Sequence, residues 1–265
     1  MTAKFTDRQI YEYWSRQAEE HQQQASASWS DHRVIEMEVR EIVQRLDDGD
    51  RVLDAGCANG YSSVRFACAR RIQLRGLDYI PRMIEEAQAR QHDVAGKLIG
   101  TVEFAVGDIT QLKEPPETYD KVVVIRVLIN LGTWERQMQA LRECTRVLKK
   151  GGVLLLSEAT LQGWQKLNRL RGEWGLEEIP MPPFNQYLDE EQVTAAVAGQ
   201  MQLLEISNFA STYYVGTRLL KPLLARVSNA PVDPADPDAE WNRWCSQLPA
   251  WGDYGTQKLF VFRKS

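Results

Sequence analysis

Residues Asp54-Ala55-Gly56-Cys57-Ala58-Asn59-Gly60 make a glycine-bearing turn between a short apolar run, RVLDA, and a helix-like stretch. Glycines at such a turn let backbone come close to a ligand, and the helix that follows offers unpaired N–H groups to anionic atoms. The spacing selects among ligands. Counted from Gly56, a dinucleotide loop of the form G-x-G-x-x-G needs glycine at the places where Ala58 and Tyr61 stand. A phosphate loop needs Lys and then Ser or Thr after its last glycine, whereas Gly60 is followed by Tyr61 and Ser62. Two further acids close later strand-like runs, Asp78 after IQLRGL and Asp108 after TVEFAVG. Taken singly, Asp54 or Asp78 could equally well cap a helix.

These residues need a scaffold, and the apolar periodicity supplies one. Residues 7–24 and 31–46 read as helices separated by the loop ASASWSD. Strand and helix then alternate: RVLDAG, a helix near 60–70, IQLRGLD, PRMIEEAQAR, TVEFAVGD, KVVVIRVL, WERQMQALRECTRVLK and GGVLLLSEA. Such alternation predicts a parallel sheet covered on both faces, with KVVVI and VLLL as fully buried central strands. After Glu158 the rhythm breaks, and residues 160–187 carry Trp164, Trp174, Pro180, Pro182, Pro183 and Phe184. A helix (LDEEQVTAAVAG) and strands QLLEISNF and KLFVFR complete the sheet, with a long aromatic-rich insertion at 210–257 before the last strand. An insertion of that length is either a packed subdomain or a substrate cover.

VLDAGCANG resembles the acidic-x-Gly-x-Gly-x-Gly loop of class I S-adenosylmethionine (SAM)-dependent methyltransferases, and the likeness continues in order. LRGLDYIPRMIEEA resembles the family's second strand, VGDIT its third-strand end, YDKVVVIRVLINL its fourth strand, and LRECTRVLKKGGVLLLSE the helix-Gly-Gly-strand after it. The resemblance is strong over roughly residues 35–160 and weak over the last two strands. It implies a Rossmann-like α/β sheet, mostly parallel with the last strand antiparallel, and helices on both faces. Residues 1–34 are expected as a helical lid, 35–209 and 258–265 as the SAM-binding core, and 160–187 and 210–257 as substrate-covering insertions. It also implies a small-molecule type similar to enzymes of polysaccharide and natural-product pathways.

The resemblance assigns cofactor residues. Asp54, Gly56, Ala58 and Gly60 form the loop, with Ala58 in place of the family's middle glycine. Asp78, with Tyr79 and Met83 beside it, holds the ribose hydroxyls, and Asp108 with the Ile109 amide brackets the adenine. Tyr11, Tyr13, Trp14 and Trp29 are either core aromatics or a surface against the sulfonium.

Methyl transfer is an in-line displacement on an already activated carbon, so positioning and water exclusion dominate. A hydroxyl acceptor additionally needs a base. The acceptor class is expected to be written at the ends of the fourth and fifth strands. The fourth ends in Arg126-Val127-Leu128-Ile129-Asn130 and lacks the Asn/Asp-Pro-Pro-aromatic motif of amino-methyltransferases; Met181-Pro182-Pro183-Phe184 lies too far downstream to replace it. A metal-independent enzyme is expected, because Arg126 would oppose a cation there. Arg126 either binds an anionic or hydroxylic group of acceptor or cofactor, or pairs with an acid such as Glu158. Asn130 is a candidate ligand contact, Glu158 a candidate base or arginine partner, and His32 a candidate base or helix start. Asn168, Asn185, Tyr187, Tyr213, Tyr214 and Arg218 are candidates for an acceptor pocket.

Composition bounds the alternatives. The chain has 265 residues, 43% hydrophobic and 26% charged, enough for one well-buried core and an appendage. Its net charge is −4 with no basic block, which disfavours nucleic acid as partner. The four cysteines lack Cys-x-x-Cys spacing, as expected of buried thiols in a reducing compartment. No apolar run approaches the ~20 residues of a membrane span, and the first residues are polar, so a cytoplasmic protein is expected. A small-molecule acceptor is the expected partner, with a homodimer left open. A catalytically inactive SAM-binding partner or regulatory protein, or an RNA or protein methyltransferase, are the competing readings.

Overall fold

A computed structural model describes residues 5–228 and 236–265. Two helices come first, α1 (Asp7–His21) and α2 (His32–Val43), joined by a segment containing a 3-10 turn at Ala25–Ala27. The core follows as β1 (Arg51–Ala55), α3 (Tyr61–Ala69), β2 (Gln73–Asp78), α4 (Pro81–Asp93), β3 (Thr101–Val106), β4 (Tyr119–Ile125), α5 (Trp134–Val147) and β5 (Leu148–Ala159). Then come α6 (Leu161–Glu173), α7 (Glu190–Val197), β6 (Met201–Ser207), α8 (Ser211–Tyr214), α9 (Lys221–Ser228), α10 (Glu240–Cys245) and β7 (Gln257–Lys264). A π-helical turn, Val215–Leu220, joins α8 to α9.

The strands form one sheet in the order β3-β2-β1-β4-β5-β7-β6. The first five pair in parallel, and β7 runs antiparallel to both β5 and β6. Val122, Val123 and Val124 of β4 are at most 1% exposed, as a strand covered on both faces requires. One face packs against α2, α3 and the insertion around Tyr213 and Cys245. The other packs against α5 and α7.

Local chemistry sets the helix starts. The Asp31 side chain accepts the Val34 N–H at 3.3 Å and opens α2. Pro81 occupies the first turn of α4, where its missing N–H costs nothing. Thr160 caps α6 through the Gly163 N–H.

The segment 160–187, where the strand–helix rhythm breaks, begins with α6, whose Leu167 and Asn168 are buried. The first helix ends at His21 rather than 24 because the chain turns at Gln22, with φ +46°. The 210–257 insertion carries α8, the π-helical turn, α9 and α10 and then runs irregularly into β7, while part of the turn-prone stretch PVDPADPD lies outside the described residues.

Candidate functional site

The glycine turn lies at the C-terminal edge of the parallel strands. The Gly56 and Cys57 N–H groups both donate to the Leu77 carbonyl, at 2.7 and 2.9 Å, which fixes the turn against the end of β2. Gly56 sits at φ +97°, and a Cβ there would lie 2.2 Å from Val127 Cγ2. Only glycine fits so close an approach. Ala58 also has a left-handed backbone, φ +46°, at the place of the family's middle glycine. Gly60, at φ +69°, opens α3 beneath the loop, where a Cβ would meet Phe104 at 2.7 Å.

Asp78 spans this turn. Its Oδ2 accepts the Ala58 N–H at 3.0 Å and its Oδ1 the Ile80 N–H at 2.9 Å. Burial pushes its carboxyl up to about 6, against the pull of those N–H groups. Asp54 lies under the loop, where burial pushes it up to about 7 although the Ser63 hydroxyl donates to Oδ2 at 2.5 Å. Its Oδ1 is buried and has no partner.

A crevice of about 910 Å³, counting its open mouth, lies over this turn. Of the predicted cofactor residues, Gly56, Ala58, Asp78, Tyr79, Met83, Asp108, Ile109 and Arg126 line it, together with Asn130. The helix α1 covers it with Asp7, Ile10 and Trp14, one face at helical spacing. Asp7 also pairs with Arg136 of α5 at 2.5 Å across the mouth. Asp54 and Gly60 support the loop without lining the crevice. Tyr11 does not line it either; it meets Tyr79 edge to face, with centroids 5.8 Å apart.

A second, larger chamber of about 1300 Å³ adjoins the crevice. Trp14, Ser28, Arg126 and Asn130 border both spaces. Asn185, Tyr187, Tyr214 and Arg218, candidates for an acceptor pocket, line the chamber, and so does Trp29, a candidate cofactor contact that does not line the crevice. Asn185 donates to Asn130 Oδ1 at 2.8 Å, and the Asn130 amide donates to the Arg126 carbonyl at 2.7 Å, tying the downstream segment to the end of β4.

Other candidates stand elsewhere. Tyr213 is fully buried and donates to Asp31 Oδ1 at 3.0 Å. Asn168 clamps Ile179, accepting its N–H at 2.9 Å and donating to its carbonyl at 3.1 Å. His32 lines neither space and reaches Asp238 at 3.3 Å. Glu158 is fully buried, and its Oε1 accepts the Val127 and Leu128 N–H groups, both at 2.7 Å. It anchors the turn after β4 and presents no oxygen to either space. Burial pushes its carboxyl up to about 8 despite these donors.

Of the two readings of Arg126, pairing with an acid holds, but the acid is not Glu158. Arg126 is ion-paired with Glu38 of α2, a carboxylate 0% exposed that also accepts from the Ser157 hydroxyl and from Gln257. The Arg126 guanidinium lies 5.3 Å from the Trp29 ring centroid. Sequence reasoning missed Glu38; its signal was a single acid within the apolar stripe of α2.

A family model described as "Methyltransferase domain" matches residues 46–207. The chain belongs to this methyltransferase family. Among its relatives, the 27-O-demethylrifamycin SV methyltransferase of Amycolatopsis mediterranei is 30% identical over 118 residues, 44% of this chain and 41% of that protein. A probable S-adenosylmethionine-dependent methyltransferase of Mycolicibacterium smegmatis is 32% identical over 173 residues, 63% of this chain and 56% of that protein. The matches thus span about half the length of these relatives. Among solved structures, the magnesium protoporphyrin IX methyltransferase of Synechocystis PCC 6803 with bound SAM superposes with a TM-score of 0.61 at 16% identity, over 100% of both chains. This methyltransferase-family chain has, among its described residues, no helix long and apolar enough to cross a membrane.

Proposed function

We propose that the protein is a metal-independent SAM-dependent methyltransferase. It transfers the methyl group to oxygen or nitrogen of a small acceptor: a sugar, a phosphorylated compound or a natural-product intermediate. The observation that carries this reading is the common border of Trp14, Ser28, Arg126 and Asn130 between a crevice built on Asp78 and a separate acceptor-sized chamber.

The residues present fit the cofactor. The Gly56 and Ala58 backbone, Asp78, and Asp108 with the Ile109 amide all face one crevice, in the order the cofactor's parts require. Among the lining residues Asp7 and Arg136 neutralise each other and Arg126 is paired with Glu38, which leaves the carboxyls of Asp78 and Asp108, so the crevice suits a cationic ligand better than a pyrophosphate. Asp78 would hold the ribose hydroxyls, Asp108 and the Ile109 amide the adenine, and the Gly56–Ala58 backbone the amino-acid end. When bound, the cofactor supplies a methyl group already activated by its sulfonium.

The chain then has to position and shield. Trp14 separates the spaces and turns an aromatic surface to each, excluding water and favouring positive charge. Arg126 and Asn130 fix the border between donor and acceptor, held by Glu38 and Asn185. Metal independence is inferred from Arg126, whose positive charge would oppose a cation at the end of β4.

Crystals grown with S-adenosylhomocysteine test the reading. The ligand is expected in the crevice with its ribose on Asp78 and its sulfur facing the chamber. A crevice filled by a pyridine dinucleotide, or a homocysteine end pointing away from the chamber, would overturn it.

A further inference from the structure

No Asp, Glu, Lys or Cys among the described residues lines the acceptor chamber, and its arginines stay charged at any physiological pH. Burial pushes the phenols of Tyr13, Tyr187 and Tyr214 up, away from any role as base at neutrality. His21 is the one described side chain on the wall able to take up a proton there. It occupies the last turn of α1, on the same face as the wall residues Trp14 and Gln17.

The surroundings of His21 specify how its ring is held. Nδ1 lies 3.0 Å from Ser26 Oγ, and Ser26 Oγ donates to Gln24 Oε1 at 3.2 Å. The hydroxyl has one proton, and in the tautomer that keeps that proton on Gln24 the Ser26 oxygen accepts from Nδ1–H. Nε2 is then the basic nitrogen, and it has no protein partner among the described residues. The turn carrying this pair is stitched to the glycine loop: the buried Asn59 amide donates to the Gln22 and Gln24 carbonyls at 2.7 and 2.8 Å, and Arg90 bonds the carbonyls of Asn59 and Gln23. His21 is thereby fixed relative to the loop proposed to hold the amino-acid end of the donor.

The chamber also specifies a kind of acceptor. Trp14, Trp29, Trp164, Phe184, Tyr187 and Tyr214 present ring surface to it. Its two guanidinium groups are spoken for, Arg126 by Glu38 and Arg218 by Asp31, so the walls carry little uncompensated charge for an anion to meet.

We infer that the chamber receives a flat, uncharged, hydroxylated ring and that His21 Nε2 takes the proton from its hydroxyl. This deepens the proposed function and rests on it. As the acceptor oxygen forms its bond to the methyl carbon, the carbon–sulfur bond breaks with both electrons staying on sulfur. The hydroxyl proton passes to His21 and then to solvent. The products are an aryl methyl ether and S-adenosylhomocysteine.

The test compares the full-length protein with His21→Ala and His21→Gln. S-adenosylhomocysteine binding by calorimetry is to match wild type within about twofold in each, which shows an intact fold and donor site. Single-turnover methyl transfer from SAM is then measured at about pH 8.5 for ring-substituted phenols, from phenol, protonated at that pH, to 4-nitrophenol, largely ionised there. Loss of the base is expected to slow the weakly acidic phenols by roughly 10²–10⁴-fold. 4-Nitrophenol, which has already given up its proton, is expected to lose less than about tenfold. The same loss for every phenol would make His21 a structural residue and overturn the inference, as would no loss at all. Wild-type protein that binds S-adenosylhomocysteine but methylates no phenol would overturn the acceptor class. Protein that fails to bind S-adenosylhomocysteine would overturn the proposed function itself.

Discussion

Arg126 at the end of β4 is neutralised by Glu38 from the middle of α2, 88 residues earlier in the chain. The pair joins the N-terminal helices to the border between crevice and chamber. Glu38 is fully buried and Arg126 nearly so, with 12% of its side chain exposed.

Breaking such a pair from one side strands the other charge. Glu38→Gln or Arg126→Met is each expected to destabilise the protein by about 3–5 kcal/mol. The Glu38→Gln/Arg126→Met double variant is expected to lose much less than the sum of the single losses. Urea unfolding of the set checks this; additive losses would mean that the two groups do not interact.

The glycine loop makes opposite predictions at neighbouring places. Gly56→Ala drives a methyl group into Val127 Cγ2, 2.2 Å away, on a backbone with φ +97°, and is expected to cost about 1–3 kcal/mol or more. Ala58→Gly relieves a left-handed alanine and is expected to stabilise by about 0.5–1 kcal/mol, with donor binding retained. Thermal unfolding of both variants reads the two signs. A stabilised Gly56→Ala or a destabilised Ala58→Gly would contradict the loop geometry.

Much of this frame was legible in the sequence, because continuously apolar strands alternating with amphipathic helices leave few other arrangements. Asp78 and Asp108 were legible from their order after the glycine loop. The partner of Arg126 was not. Ile125 pairs with Ser157, so extending the strands suggested Arg126 beside Glu158. The chain departs from strand geometry at Arg126, with φ +53°, which carries the guanidinium toward α2 and leaves Glu158 under the Val127–Leu128 amides. His32, a candidate base or helix start, stands at the start of α2 and meets Asp238. His21 lies in the polar last turn of α1, and only the packing of the 22–30 segment against the chamber gives it a wall position.

Glu158 predicts a pH dependence. An unfolded glutamate titrates near about 4.3, whereas burial holds this carboxyl protonated up to about 8. Between those values the folded state retains a proton that the unfolded state has lost, so this group's contribution is fully present below about 4 and fades as pH rises through about 8. Glu158→Gln keeps an acceptor for the Val127 and Leu128 amides and cannot ionise. The stability of wild type relative to this variant is expected to fall by roughly 3–5 kcal/mol from pH 5 to pH 9. A flat difference across that range would show Glu158 to be ionised in the fold.

The donor site is tested most directly by calorimetric titration of wild type and Asp78→Ala with SAM. Wild type is expected to bind in the micromolar range, and the variant at least about 10–100-fold more weakly, the scale of one or two lost charge-assisted hydrogen bonds. No heat with wild type, or equal affinity in a folded Asp78→Ala, would contradict a SAM site built on this carboxylate.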